Sequence, residues 1–169
     1  MNIRDPWSKL VTVEQILNSN QGTHQSFKTV FTNGCFDLLH RGHVDYLLRC
    51  KGLGDTLVVG LNTDESVRRL KGHSRPVTKQ RDRAFVLGAL ECVDFVVFFE
   101  QDDPLQLIQA IQPDVLVKGG DWPPEQIVGR DVVRARGGEI HSLPFLEGYS
   151  TSELMRGIAA RAGDAGQGR

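Results

Sequence analysis

From Lys28 onward, short β-rich runs alternate with stretches of helical periodicity. Thr29 to Thr32, Thr56 to Leu61, Phe95 to Phe99, Val115 to Val117 and Glu139 to Leu143 are brief and rich in β-branched or aromatic residues, so they read as five strands. Between them apolar residues recur three and four positions apart: Val44, Leu47 and Leu48 before the stop signals Gly52 and Gly54, then Ala84, Leu87 and Leu90, then Leu105, Ile108 and Ile111. Asp103-Pro104 supplies an N-cap and a first-position proline for the last of these helices, and Pro113 ends it. Each helix has one apolar stripe to bury. Every strand-to-strand connection holds a helix-sized segment, as parallel strands require, so the pattern predicts an α/β fold: a doubly wound sheet of about five parallel strands with helices on both faces.

Residues 1–27 read as a helical lead-in, because Thr12-Val13-Glu14-Gln15 fits a capping box before Ile16 and Leu17, and the polar stretch Asn18 to Ser26 follows. The main domain is expected over residues 28–161. The glycine-containing tail, residues 162–169, has no large apolar side chain and is expected to be disordered.

Composition narrows the function classes. In 169 residues, 20 Lys and Arg nearly balance 21 Asp and Glu, which lacks the basic excess of a nucleic-acid or membrane-surface binder. The longest apolar run, Phe95 to Phe99, is far short of the ~20 residues that cross a bilayer, and Met1 to Leu10 has no apolar signal core. A soluble cytoplasmic protein is the expectation. The three cysteines, Cys35, Cys50 and Cys92, form no CxxC pair and no even framework, as expected in a reducing compartment.

The most informative stretch runs from Phe31 to His43, Phe-Thr-Asn-Gly-Cys-Phe-Asp-Leu-Leu-His-Arg-Gly-His, where the first strand ends and the first sheet-packing helix begins. Ligands of open α/β sheets bind at such junctions. Gly34 lets the backbone turn and approach a ligand, and the helix N-terminus offers N–H groups and a positive dipole end to phosphate. His40 and His43, three apart, are expected to face the same space and donate to phosphoryl oxygens.

Those residues resemble the signature of nucleotidylyltransferases of the His-x-Gly-His type. The resemblance extends through Asn62-Thr63-Asp64, Leu70-Lys71-Gly72, Ser74-Arg75-Pro76-Val77, Arg83, Val117-Lys118-Gly119-Gly120-Asp121 and Ser150-Thr151-Ser152, roughly residues 28–160. In that detail it is similar to the heptose 1-phosphate adenylyltransferases, which implies a Rossmann-like fold and transfer of the adenylyl group of ATP to D-glycero-β-D-manno-heptose 1-phosphate, giving ADP-heptose for lipopolysaccharide core synthesis and pyrophosphate. Mg²⁺ is expected to travel with ATP, with no metal site of the protein's own. The resemblance also implies a homo-oligomer. Many such enzymes are fused to a sugar kinase; a chain of this length leaves room for the transferase alone, so a separate heptose kinase is expected in the pathway.

The chemistry accounts for the residue types. A sugar-phosphate oxygen attacks the α-phosphorus and pyrophosphate leaves, so the protein must hold two polyanions in line and offset developing charge, without a nucleophile of its own. Catalytic roles are accordingly expected for His40, His43, Lys71 and Arg83, the last two as phosphate-neutralising cations. Nucleotide contacts are expected from Thr32, Asn33, Gly34, Cys35, Phe36 and Gly42, from Lys118, Gly119 and Asp121 at a strand end, and from Ser150, Thr151 and Ser152 as a second phosphate-binding helix start. Asp37, Lys71 and Trp122 are expected on the acceptor side, although Asp37 also fits a structural role accepting backbone N–H bonds. Arg68, Arg69, Arg75 and Arg81 read as ordinary surface cations. The segment from Asn62 to Lys79 is polar and glycine-containing and reads as a loop able to close over substrate. Three alternatives share these residues: a glycerol 3-phosphate cytidylyltransferase, a zinc site built from Cys35, His40 and His43, and a non-catalytic nucleotide-binding regulatory domain.

Overall fold

A computed structural model describes residues 4–19, 27–120 and 122–165 of the chain. Five parallel strands form one sheet: β1 (Thr29–Gly34), β2 (Thr56–Asn62), β3 (Phe95–Phe99), β4 (Val115–Gly119) and β5 (Glu139–Leu143). Their spatial order is β3-β2-β1-β4-β5. The chain therefore winds outward from β1 in one direction, then returns to β1's other side and winds outward again. The reversal lies between β1 and β4, and their carboxyl ends frame the crevice where ligands of such sheets bind.

Strand side chains alternate between two cores. Val30, Val59, Leu61, Val96 and Val117 face α2 (Arg41–Lys51) and α4 (Gln80–Gly88), which contribute Tyr46, Leu47, Cys50, Ala84 and Leu87. Phe31, Val58, Val97 and Leu116 face the opposite layer, built from α1 (Val13–Ser19), α5 (Leu105–Ile111) and α6 (Arg130–Arg134) through Ile16, Leu107, Ile108, Ile111 and Val133. A buried apolar face on each side of the sheet is the dominant stabilising term of this architecture. The lead-in belongs to the second layer: the backbone N–H of Thr12 donates to Gln15 Oε1 at 2.8 Å and that of Gln15 to Thr12 Oγ1 at 3.3 Å, closing the expected capping box and setting Ile16 into the core.

Several local expectations shift. Leu48 is exposed, because the face of α2 that meets the sheet is set by Leu47 and Cys50 together with Tyr46, and Leu48 lies a further 100° round the helix. Leu90 falls beyond the end of α4, though it still packs on the core. The α5 helix starts one residue late, with Pro104 at the cap and Asp103 Oδ1 accepting from the N–H of Leu105 at 2.9 Å. Asn62 to Lys79 is not one loop: Thr63 caps α3 (Asp64–Lys71) by accepting from Ser66 N–H, and the free connection shrinks to residues 72–79. The final helix, α7 (Thr151–Ala165), runs through residues 162–165, which were expected to be disordered. Asp121, the polar residues 20–26 and the end of the tail from 166 fall outside the described residues.

Candidate active site

β1 and β4 each extend past their sequence-predicted ends, carrying Asn33, Gly34, Lys118 and Gly119 to the rim of the crevice. After Gly34 the chain turns sharply through Phe36, whose φ of 43° is the left-handed conformation, and enters α2 with His40 as its N-cap. His40 caps through its backbone alone, with no side-chain bond, so the first turn of α2 keeps N–H groups open to an anion. Gly42 is needed for closeness: a Cβ there would lie 2.9 Å from Tyr149 Cβ and 3.1 Å from the His40 ring. Its lack of a side chain lets the entrance of α7 pack against the histidine turn.

The two imidazoles lie face to face with centroids 4.0 Å apart. Both Nδ1 atoms are buried and have no hydrogen-bond partner among the described residues. Burial lowers the His40 pKa, and that of His43 falls from the usual 6.5 to about 4 through burial, the neighbouring His40 and the Lys71 ammonium. Two rings so close cannot both carry charge cheaply, so at neutral pH this is a pair of uncharged rings with unused polar atoms. Unpartnered buried polar atoms are costly unless a ligand completes them.

His43 opens onto a cavity of about 190 Å³ at the β1–β4 crevice. Asn33, Gly34, Cys35 and Phe36 line one side, Lys118 and Gly119 another, with Lys71 from the end of α3 and Thr151 from the start of the final helix. Lys118 is largely desolvated, which lowers its ammonium pKa, and neither Lys118 nor Lys71 has a carboxylate partner among the described residues. A second cavity of about 470 Å³ shares Asn33, Gly34, Cys35, Lys71, Lys118 and Gly119 with the first and continues past Asn62, Asp102, Asp103, Gln126 and Trp122. The shared floor is where two ligands lying in the two cavities would meet.

Four expected site residues have other duties. Thr32 is fully buried and its Oγ1 lies 2.6 Å from the Tyr46 hydroxyl, inside the core. Arg83 is 1% exposed; it donates to Thr78 O, Cys35 O and Asp64 Oδ1, which leaves it no free edge for a phosphate. Its i−4 spacing within a helix hid this, because a buried arginine and a surface one look alike in a polar sequence. Asp37, expected beside the acceptor, is consumed by the 72–79 connection: it accepts from the N–H groups of Val77 and Thr78 and from Arg75 at 2.7 Å. Ser150 caps α7, accepting from Glu153 N–H at 3.1 Å and donating to the Glu153 carboxylate, and Ser152 is exposed. Of that hydroxyl cluster only Thr151 reaches the cavity. Conversely, Tyr46, Arg75 and Phe145 line the first cavity without having been expected in the site, Arg75 having been read as a surface cation; Phe145 presses its ring where a Cβ on Gly119 would stand, 2.5 Å away, and nothing in its local sequence announces that contact.

The model of the cytidylyltransferase-like family matches residues 31–156, from the end of β1 to the first turns of α7. The chain belongs to the cytidylyltransferase-like family. It is by kind a nucleotidyltransferase. It is 51% identical over 156 residues to the bifunctional protein HldE of Citrifermentans bemidjiense, covering 92% of this chain and 32% of that protein. With the bifunctional protein HldE of Geotalea uraniireducens the identity is 56% over 131 residues, covering 78% of this chain and 27% of the relative. The chain thus spans about a third of the length of the curated relatives it matches. Among solved structures, the lipopolysaccharide core biosynthesis protein of Thermoplasma volcanium superposes with a TM-score of 0.58 at 26% identity, covering 74% of this chain and all of that one.

Proposed function

We propose that this chain transfers the adenylyl group of ATP to D-glycero-β-D-manno-heptose 1-phosphate, releasing pyrophosphate and ADP-heptose. The observation that carries the reading is the uncharged His43, packed against His40 and opening with Lys71 and Lys118 onto the crevice of a cytidylyltransferase-like sheet. The extended match to HldE proteins and the Thermoplasma volcanium lipopolysaccharide core biosynthesis protein supports the sugar acceptor.

A phosphate oxygen of the acceptor forms the new bond to the α-phosphorus as the bond to the β-phosphate oxygen breaks. The acceptor arrives already anionic, so no residue need remove a proton and Cys35 need not attack. His40 and His43 donate to the phosphoryl oxygens, the open first turn of α2 adds N–H groups, and the two lysines offset charge that grows in the pentavalent transition state. Thr151, at the first turn of α7, faces the same cavity and holds the nucleotide phosphates from the other side. Trp122 and the neighbouring Asp102 and Asp103 border the larger cavity on the acceptor's flank.

Mg²⁺ enters as part of the ATP substrate. Among the described residues the first cavity offers no free carboxylate to hold it, since Asp37 is committed to Arg75 and two backbone N–H groups. Heptose 1-phosphate is supplied by a sugar kinase activity. The enzyme is cytoplasmic and homo-oligomeric in this reading; no described helix is long and apolar enough to cross a membrane.

The test is a matrix of pyrophosphate-release assays with ATP and CTP against heptose 1-phosphate, glycerol 3-phosphate and pantetheine phosphate. ATP with heptose 1-phosphate is expected to give the highest kcat/KM. A preference for CTP with glycerol 3-phosphate makes the chain a cytidylyltransferase of the small-polyol type instead.

A further inference from the structure

Two arginines hold the 72–79 connection, and they are finished to different degrees. Arg83 spends all three guanidinium nitrogens on protein: Nε on Thr78 O, Nη1 on Cys35 O and Nη2 on Asp64. Arg75 makes one described hydrogen bond, from Nη1 to Asp37 Oδ2. Its side chain is only 12% exposed, and it lines the first cavity with His43, Lys71, Lys118 and Thr151. No Arg75 nitrogen is among the buried polar atoms that lack a partner, so its unused N–H edges are reached by solvent on a side chain that lines that cavity.

Asp37 has no need of Arg75 to be satisfied or to fix the loop, because the N–H groups of Val77 and Thr78 already bond both carboxylate oxygens. The pairing therefore acts in the other direction: a carboxylate anchored at 4% exposure orients a guanidinium whose free edges face ligand space. A planar fork with one nitrogen pinned and the others open is matched to the oxygens of a phosphate. Around it stand the Lys71 and Lys118 side chains and an uncharged imidazole, and among the described residues the one carboxylate lining this cavity is the one already taken.

We propose that Arg75 is a phosphate-binding residue of this site, held by Asp37 and gripping a phosphate of one of the two substrates through its free guanidinium edges. The proposal rests on the nucleotidyl-transfer reading for which phosphate it meets, and on the cavity geometry alone for phosphate as the ligand. It changes the sequence expectation, in which Arg75 was a surface cation and Arg83 the phosphate ligand; the two exchange roles.

Calorimetric titration of the wild-type protein, Arg75→Lys and Arg75→Ala with ATP, with inorganic pyrophosphate and with heptose 1-phosphate, beside thermal melts of each, tests this without requiring turnover. Arg75→Lys keeps a charge for Asp37 but loses the fork, so it guards against an alanine variant that fails to fold. Both variants are expected to bind at least one phosphate ligand about tenfold more weakly, with guanidinium chloride at low concentration partly restoring the alanine variant. Weakened ATP and pyrophosphate binding assigns the grip to the nucleotide; weakened heptose 1-phosphate binding alone assigns it to the acceptor. Affinities of the folded Arg75→Lys variant for all three ligands equal to wild type would reduce Arg75 to a loop anchor and overturn the proposal. Failure of the wild type to form ADP-heptose from ATP and heptose 1-phosphate while the variants lose pyrophosphate binding would instead count against the acceptor assignment only.

Discussion

His43 is the side chain whose surroundings demand most explanation, because burial, His40 and Lys71 all oppose its protonation. In the unfolded chain an imidazole takes a proton near 6.5, whereas here it does so only at about 4. Between those values the unfolded state binds more protons, so the stability present above pH 6.5 is lost as pH falls from 6.5 through about 4. His43→Asn removes that titration, and melting temperatures followed across this window are expected to fall less steeply than in the wild type; equal slopes would show that His43 takes its proton at the same pH in the folded and unfolded states. The same variant should lower kcat by about 10²-fold with the protein still folded. Arg83 makes the opposite prediction. Arg83→Met strands two carbonyls and the partly exposed Asp64 carboxylate, and denaturant titration should show a loss of about 3 kcal/mol; a change within about 0.5 kcal/mol would mean the buried pair contributes nothing net. The histidines were legible from their spacing at a strand–helix junction. The arginines were not, because whether a guanidinium is enclosed depends on residues 75–83 folding back onto the turn at Cys35 and Asp37, a long-range contact without local periodicity.

The elements divide in the same way. Strands and the helices α4 and α5 could be located because apolar spacing is a local property, and the parallel sheet followed from the length of the connections. What was misplaced is polar: the ends of β1, β2 and β4, where Asn33, Asn62 and Lys118 continue the ladder while facing the crevice, and α3, whose charged sequence resembled a loop until Thr63 capped it. The start of α7 separates capping from ligand binding within two adjacent residues. Ser150→Ala removes a cap and should lower stability by about 1 kcal/mol while ATP affinity stays unchanged. Thr151→Ala should do the reverse, weakening ATP binding with little change in melting temperature. If calorimetry and melts show both variants behaving as caps, the α7 terminus does not hold phosphate.

At the scale of the molecule, the order β3-β2-β1-β4-β5 explains why residues so distant in sequence converge. Reversal of winding at β1 leaves a gap over its carboxyl end, and the turn after β1, the strand end of β4 and the starts of α2 and α7 all open into it. This arrangement calls for direct transfer between two substrates held against a common floor, with no enzyme-bound intermediate. Phosphorus NMR of the protein with Mg²⁺, ATP and D-glycero-β-D-manno-heptose 1-phosphate examines that claim most directly. The account predicts a pyrophosphate signal growing in step with the paired resonances of ADP-heptose, and no loss of ATP when the sugar phosphate is left out. Release of pyrophosphate from ATP alone, or no sugar nucleotide with both substrates present, would contradict it.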